Sequence, residues 1–129
     1  MKRILFFGSL LFMISVAMTA PKALFNWRNA THDFGRIAQG KPVTAEFTFI
    51  NKGEVPLLIS QAKGSCGCTG VDYPKSAILP GQSGVVKATF NAAALGAFNK
   101  TVTIESNAEG GTETVSFKGE VVKEEAIGQ

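Results

Sequence analysis

Hydrophobic and polar residues alternate along several short segments of the chain. Residues 43–49 carry Val, Ala, Phe and Phe at every second position, with Thr, Glu and Thr between them. Residues 86–90, 101–105 and 114–121 show the same period of two. Side chains two residues apart on a strand point to one face, so each segment predicts a β-strand with one buried side. We expect these apolar side chains to share the interior: Phe47, Phe49, Phe90, Val102, Ile104 and Phe117.

Turn residues separate these segments and helical signals are weak. Asn-Lys-Gly at 51–53 ends one alternating run, and Pro-Gly at 80–81 precedes another. The best helical candidate, Ala-Ala-Ala-Leu at 92–95, is too short to nucleate alone and is followed by Gly96. A parallel sheet would need crossover helices for which the chain has no room. The pattern therefore predicts an all-β protein, an antiparallel sandwich or barrel.

The N-terminus has the composition of a targeting segment. Lys2 and Arg3 precede an almost unbroken apolar run over residues 4–16, which is shorter than the roughly 20 residues of a membrane span. Small residues then lead to the junction 20–21. Residues 1–20 are therefore predicted to be a secretory signal peptide, the alternative being a retained N-terminal anchor helix. We expect an exported protein, periplasmic or extracellular, with no stable membrane span after cleavage.

Cleavage at this junction changes the charge of the chain. The full sequence has 13 basic and 10 acidic residues, and loss of Lys2 and Arg3 leaves 11 basic residues and a net charge of +1. No basic stripe remains to neutralise phosphates, which argues against nucleic-acid binding. The remaining length suits one small domain over residues 21–122. Residues 123–129 are charged at first and end in Gly-Gln, which predicts a flexible C-terminal tail.

The mature sequence is rich in phenylalanine. Burying one phenylalanine side chain contributes about 1.5–3 kcal/mol, so together these residues can hold a domain of this size without a long-range disulfide. We interpret them as core residues rather than as an aromatic ligand platform. They are Phe25, Phe34, Phe47, Phe49, Phe90, Phe98 and Phe117.

Several short motifs are distributed along most of the mature chain. They include His-Asp-Phe-Gly-Arg-Ile at 32–37, Glu-Phe-Thr-Phe-Ile-Asn-Lys-Gly at 46–53 and Ser-Cys-Gly-Cys-Thr at 65–69. Gly-Ala-Phe-Asn-Lys at 96–100 and Phe-Lys-Gly-Glu-Val at 117–121 complete the set. This layout resembles a family of exported bacterial immunoglobulin-like domains, a domain of unknown function with the number 1573. The pentapeptide at 65–69 is its most specific element.

The resemblance implies a fold but no activity. It implies an immunoglobulin-like β-sandwich of about seven to eight strands, of the Hydin and major-sperm-protein type, placed beyond the inner membrane. The family has no assigned enzymatic role. The residues also show no nucleophile elbow, phosphate-cradling loop or carboxylate pair typical of catalysis. We therefore expect no enzyme, no catalytic residues and no cofactor.

The two cysteines of the chain, Cys66 and Cys68, are the only local feature that indicates a chemical site. On an extended strand both would point to one side, and Gly67 would let the backbone bend to close a disulfide between them. At the i to i+2 spacing of a strand such a bond would be strained. It would stabilise the fold little, because a three-residue loop gives a chain-entropy term of about 1.6 kcal/mol.

Three interpretations of the pair stay open. Cys66 and Cys68 form a structural or redox-labile turn, they hold a soft metal ion such as Cu(I), or they are free thiols that form mixed disulfides. After signal cleavage, which also removes the three methionines, only His32 could add a third ligand; it lies about thirty residues upstream and is more simply a strand-end histidine that contacts backbone. Tetrahedral zinc would need four ligands.

Together these observations favour binding over catalysis. We expect a non-catalytic protein-binding or envelope accessory module whose partner is another envelope or secreted protein, contacted through an exposed edge strand. The alternative is a redox-active or copper-handling protein that uses Cys66 and Cys68.

Overall fold

The computed structural model describes residues 20–126 and contains eight strands. The predicted signal peptide falls almost entirely on residues 1–19, outside the described part of the chain. The strands are β1 (Phe25–Trp27), β2 (Thr31–Ala38), β3 (Val43–Asn51), β4 (Ile59–Gly64), β5 (Thr69–Asp72), β6 (Ser83–Phe90), β7 (Gly96–Ser106) and β8 (Thr112–Val122).

The strands form two four-stranded sheets. One has the order β1-β3-β6-β5 and the other β2-β8-β7-β4. Five of the six strand pairs are antiparallel, as the alternation predicts, whereas β2 runs parallel to β8. This pair differs from the expectation because the chain leaves the first sheet after β1 and enters the second sheet beside β8, the last strand in chain order. The all-β sandwich and its strand number are confirmed.

The core lies between the sheets and contains the predicted side chains. The six residues expected to share the interior are all buried, none more than 4% exposed. Of the other phenylalanines, Phe25, Phe34 and Phe98 are half-buried and pack against this core. The predicted faces are therefore confirmed.

One polar residue, Asn51, is completely buried at the end of β3. Its amide nitrogen donates to the Val55 and Ile78 carbonyls at 2.8 and 2.9 Å. Its side-chain oxygen accepts from the backbone N–H groups of Gly53 and Leu24 at 2.9 and 3.2 Å. The hydrogen bonds to these partners offset the free-energy cost of burying the amide, and they tie three loops together.

Among residues 20–126, no helix is long and apolar enough to cross a bilayer. A short 3-10 turn at Glu124–Ala126 follows the last strand. Glu124 forms a salt bridge with Lys41, and both side chains are exposed. The predicted flexible tail from residue 127 onward lies outside the described residues.

Candidate functional site

The two cysteines lie where the chain crosses from one sheet to the other. β4 is the last strand of one sheet, β5 is the last strand of the other, and residues 65–68 connect them. Both cysteines are half-buried, while Ser65 and Gly67 are exposed. The Ser-Cys-Gly-Cys-Thr segment therefore spans one open side of the sandwich.

The structure joins Cys66 and Cys68 in a disulfide with Cα atoms 5.3 Å apart. The pair does not lie on an extended strand, because the Thr69 N–H donates to the Cys66 carbonyl at 3.3 Å and closes a four-residue turn. The turn brings the Cα atoms within the usual disulfide range of about 4.4–6.8 Å. The strain expected from strand spacing therefore does not apply.

Backbone hydrogen bonds hold the turn on both sides. The Ser65 N–H donates to the Thr101 carbonyl at 2.8 Å, and the Thr101 N–H donates to the Ser65 hydroxyl at 3.1 Å. On the other side the Asn91 N–H donates to the Cys68 carbonyl at 3.1 Å. The position of the turn is thus set by β7 and by the end of β6 as well as by the disulfide.

Thr69 gives the two sulfur atoms different surroundings. Its hydroxyl oxygen lies 3.6 Å from the Cys66 sulfur. A disulfide sulfur carries no hydrogen, so in this state the hydroxyl is the donor. Cys68 instead packs against the hydrophobic core and lines a cavity of about 210 Å³.

The loop beside the cysteine turn, residues 91–96, is called here the alanine loop. The helix considered for 92–95 does not form, and the segment has no regular secondary structure before β7. Ala92 is buried with a φ of +54°, the only non-glycine residue in the described chain with a positive φ. Such a conformation costs a non-glycine residue about 1–3 kcal/mol and persists only when its surroundings enforce it.

Hydrogen bonds enforce this conformation. The Asn91 side-chain oxygen accepts from the Ala93 N–H at 3.1 Å. The Ala92 carbonyl accepts from the Gly40 N–H at 2.9 Å, and the Ala93 carbonyl accepts from the Gln39 side-chain amide at 3.1 Å. The alanine loop is therefore fixed by contacts to the β2–β3 connection.

This fixed loop exposes apolar side chains around the cavity. Leu95 is 50% exposed, Ala93 and Ala94 are exposed, and half-buried Phe98 forms another wall. Lys100 is the only charged residue that lines the cavity. The sequence does not predict this surface, because a run of three alanines indicates only a weak helix. The pattern Asn-x-Ala before a glycine at 96 is a turn signal that could have marked it.

His32 does not join the cysteines. It lies on β2, at the edge of its sheet opposite β4, which the cysteine turn follows. Three strand spacings of about 4.8 Å separate these edges. Its ring instead packs edge-on against the Phe34 ring, with the two ring centroids 4.4 Å apart. Residues 20–126 assemble no group of three or more His, Cys, Asp or Glu side chains suited to a metal ion. Soft-metal binding by the reduced pair stays a prediction.

The edges of the sheets are short or irregular. β1 has three residues and β5 has four, while β2 and β4 each carry a register shift. Short and bulged edges limit pairing with a second chain. Partner binding at an edge strand stays a prediction. The alanine loop is a second candidate for the contact surface.

Comparison with solved structures finds sandwich domains at low identity. A protein of unknown function from Porphyromonas gingivalis W83 is 17% identical, with a TM-score of 0.67 over 81% of this chain and 50% of that one. The chain thus spans about half of that protein. A PapD-like domain of human CEP192 gives 12% identity and a TM-score of 0.63 over 89% of this chain and 96% of the domain.

A third similar structure belongs to an enzyme, the VesB protease of Vibrio cholerae. It is 16% identical with a TM-score of 0.60 over 75% of this chain, but the match covers only 31% of the protease. At such identities these likenesses concern the fold alone. No curated protein matches the sequence.

The family comparison is more specific. The sequence profile described as protein of unknown function (DUF1573) matches residues 25–121, from the first strand to the end of the last. This match covers well over half of the chain and includes the Ser-Cys-Gly-Cys-Thr segment. The protein therefore belongs to the DUF1573 family, as its motifs predict.

Proposed function

We propose that the protein acts outside the cytoplasm as a non-catalytic module that binds another envelope or secreted protein. The contact surface is the exposed apolar side of the alanine loop with the cavity beside it. The observation that supports this proposal most is the combination of strain and exposure. A non-glycine residue is held at positive φ by several hydrogen bonds, and the loop that results exposes Leu95 to solvent.

The rigidity of the loop favours binding. Association loses free energy whenever a loop must be ordered at the interface, and a loop that is already fixed avoids that cost. Strained residues held by their surroundings also concentrate at binding and active sites. Ala92, whose carbonyl accepts a hydrogen bond from the Gly40 N–H, is such a residue.

The size of the cavity favours a protein partner over a small molecule. Drug-sized ligand sites usually measure about 300–1,000 Å³. The cavity at the alanine loop measures about 210 Å³, which suits one or two apolar side chains of a partner. Interfaces place such anchors in well-packed pockets at their centre. We expect the anchor to be a large apolar residue with an acidic neighbour, because Lys100 lines the same cavity.

Export rests on the N-terminal segment and on the disulfide, since disulfides persist in oxidising compartments. The expected mature protein starts near Pro21. Intact-mass analysis of the protein from the envelope or the medium should show about twenty residues missing. A full-length mass in that fraction would contradict cleavage.

Two leucines at opposite ends of the sandwich test the binding surface. A photo-crosslinking residue at position 94 should capture the partner in cells, and the purified pair then gives a dissociation constant. We expect Leu95→Asp to weaken binding at least tenfold, because a charge replaces an apolar contact. Leu79→Asp is the matched control, since Leu79 is 48% exposed and Leu95 50%. It should leave the affinity unchanged.

Two results would refute this surface. One is equal weakening by both leucine variants, which would indicate a general effect of charge. The other is full affinity of the Leu95→Asp protein for its crosslinked partner. If crosslinks arise instead from residues 61–64 on β4, the edge-strand hypothesis of the sequence analysis replaces it.

A further inference from the structure

We propose that the Cys66–Cys68 disulfide is a thiol-exchange site, in which an incoming thiolate attacks the Cys68 sulfur and Cys66 is the leaving group. The substrate class is a thiol, either a small one such as glutathione or a cysteine side chain of an exported protein. This activity goes beyond protein binding and does not depend on it, because a small thiol needs only the disulfide and the cavity.

Access is the first support. Thiol exchange requires a disulfide that solvent can reach, and exposed disulfides are the labile ones. Both cysteines are only half-buried, and Ser65 before them and Gly67 between them are exposed. Cys68 also lines the cavity at the alanine loop, which with a volume of about 210 Å³ is large enough to admit a thiol side chain.

The second support is the asymmetry between the two sulfurs. Exchange is faster when the departing sulfur is the better stabilised thiolate. The Thr69 hydroxyl lies 3.6 Å from the Cys66 sulfur and can donate to the negative charge that develops there. The core-facing side of Cys68 has apolar neighbours such as Phe90 and Phe98, which disfavour a thiolate. Cys66 is therefore the preferred leaving group.

The third support is the charge at the cavity. Lys100 is its only charged lining residue, and a cation attracts the thiolate form of the attacking group. A glutathione molecule, which carries a net negative charge, gains more from this attraction than an uncharged thiol does. The contribution of Lys100 can therefore be separated by the choice of thiol.

The turn is held in place without the disulfide. Ser65 exchanges two hydrogen bonds with Thr101, and the Cys68 carbonyl accepts from Asn91. The closed loop has only three residues, so its opening releases little chain entropy. The reduced protein should therefore keep its fold and present both sulfurs in the same place for reoxidation.

The chemistry balances as a two-electron exchange. The thiolate forms a bond to the Cys68 sulfur, the bond between the cysteines breaks, and its electron pair stays on Cys66 as a thiolate. A second thiolate then attacks the substrate sulfur of this mixed disulfide and releases Cys68. Two thiols are oxidised to one disulfide, the protein disulfide is reduced to two thiols, and the protons of the substrate thiols pass to the cysteines.

Peptide mapping tests the direction of attack. The oxidised mature protein is mixed with reduced glutathione, quenched with acid and alkylated, and the modified cysteines are located by fragmentation in a mass spectrometer. We expect glutathione on Cys68 and the alkyl group on Cys66, at least about tenfold more often than the reverse. Equal amounts, or glutathione mainly on Cys66, would overturn the assignment.

Two variants test its causes. Thr69→Val keeps the branched side chain that packs on Gly64 and removes the hydroxyl. It should slow opening by glutathione about tenfold, since a hydrogen bond to a charged group is lost. Thr103→Val, at an exposed position of β7, is the control and should have no effect.

Lys100→Gln should slow the reaction of glutathione several-fold and that of uncharged mercaptoethanol much less. A disulfide that stays closed in excess thiol while the protein remains folded would overturn the whole proposal. Binding of the crosslinked partner is measured separately with Leu95→Asp. Failure of one proposal is therefore distinguishable from failure of the other.

Discussion

The two ends of the sandwich are held by different means. At the first end, the buried amide of Asn51 joins the start of β1, the end of β3 and the loops at Val55 and Ile78. At the second end, one backbone hydrogen bond, from the Asn91 N–H to the Cys68 carbonyl, joins the alanine loop to the cysteine turn, and the disulfide closes only the turn itself. The first end buries its polar centre completely, whereas the second leaves both cysteines and Leu95 partly exposed.

This difference indicates a structural role for the first end and fits the binding and exchange roles proposed for the second. Asn51 is satisfied by four protein partners and has no capacity left for a ligand. Close packing at this end is also strict, because a methyl group on Gly53 would lie 2.6 Å from the Ala23 Cα. Around Gly67 and Gly96, by contrast, an added methyl group would meet nothing within 4 Å. Gly64 is the exception at the second end, because the Thr69 side chain packs on it, so the open space there is confined to the surfaces at the other two glycines.

The largest stability effect should come from the core that both ends share. Phe47→Ala or Phe117→Ala should lower the free energy of unfolding by about 3–5 kcal/mol, because each side chain is fully buried and leaves a cavity. Chemical denaturation measures this loss, with exposed Leu79→Ala as the control. A loss below about 1 kcal/mol at both phenylalanines would mean that the core is not where the structure has it.

Two asparagines compare the ends directly. Asn51→Ala should cost about 3 kcal/mol, since several buried backbone groups lose their partners. Asn91→Ala removes one exposed hydrogen bond to Ala93 and should cost no more than about 1 kcal/mol. Equal losses in urea denaturation would erase the distinction between a structural and a functional end.

The disulfide should contribute little to stability. Replacing both Cys66 and Cys68 by serine should lower the free energy of unfolding by at most about 1.6 kcal/mol, the chain-entropy limit for so short a loop. Thermal melts of the oxidised, reduced and double-serine proteins provide the measurement. Unfolding on reduction would make the pair a structural staple and remove the basis for the exchange site.

The smallest effect should come from the exposed leucines. Leu95→Asp and Leu79→Asp should each change the free energy of unfolding by no more than about 0.5 kcal/mol, because both side chains are about half exposed. Any difference between them should therefore appear in binding and not in melting. A large destabilisation by Leu95→Asp would show that the alanine loop is part of the fold's support.

The strand faces were readable from sequence because alternation reports burial directly. The period of two in β3 continues through Asn51, which places that amide on the buried face with Phe47 and Phe49. The residue types Asn-Lys-Gly at 51–53 predict a turn at Asn51, whereas the alternation of buried positions predicts that it ends the strand. A turn at the two cysteines is among the interpretations that the sequence offers, but a local pattern cannot show that Thr101 and Asn91 anchor it.

Local patterns in the sequence predict the all-β class, the faces of the main strands and one cysteine pair as the candidate chemical site. These follow from local periodicity and residue chemistry, which act over a few neighbouring positions. Tertiary structure alone decided the parallel pairing of β2 with β8, the buried network of Asn51 and the cavity between Cys68 and the alanine loop. Each depends on contacts between residues more than twenty positions apart, and the free energy of such contacts appears only when the two sheets pack together.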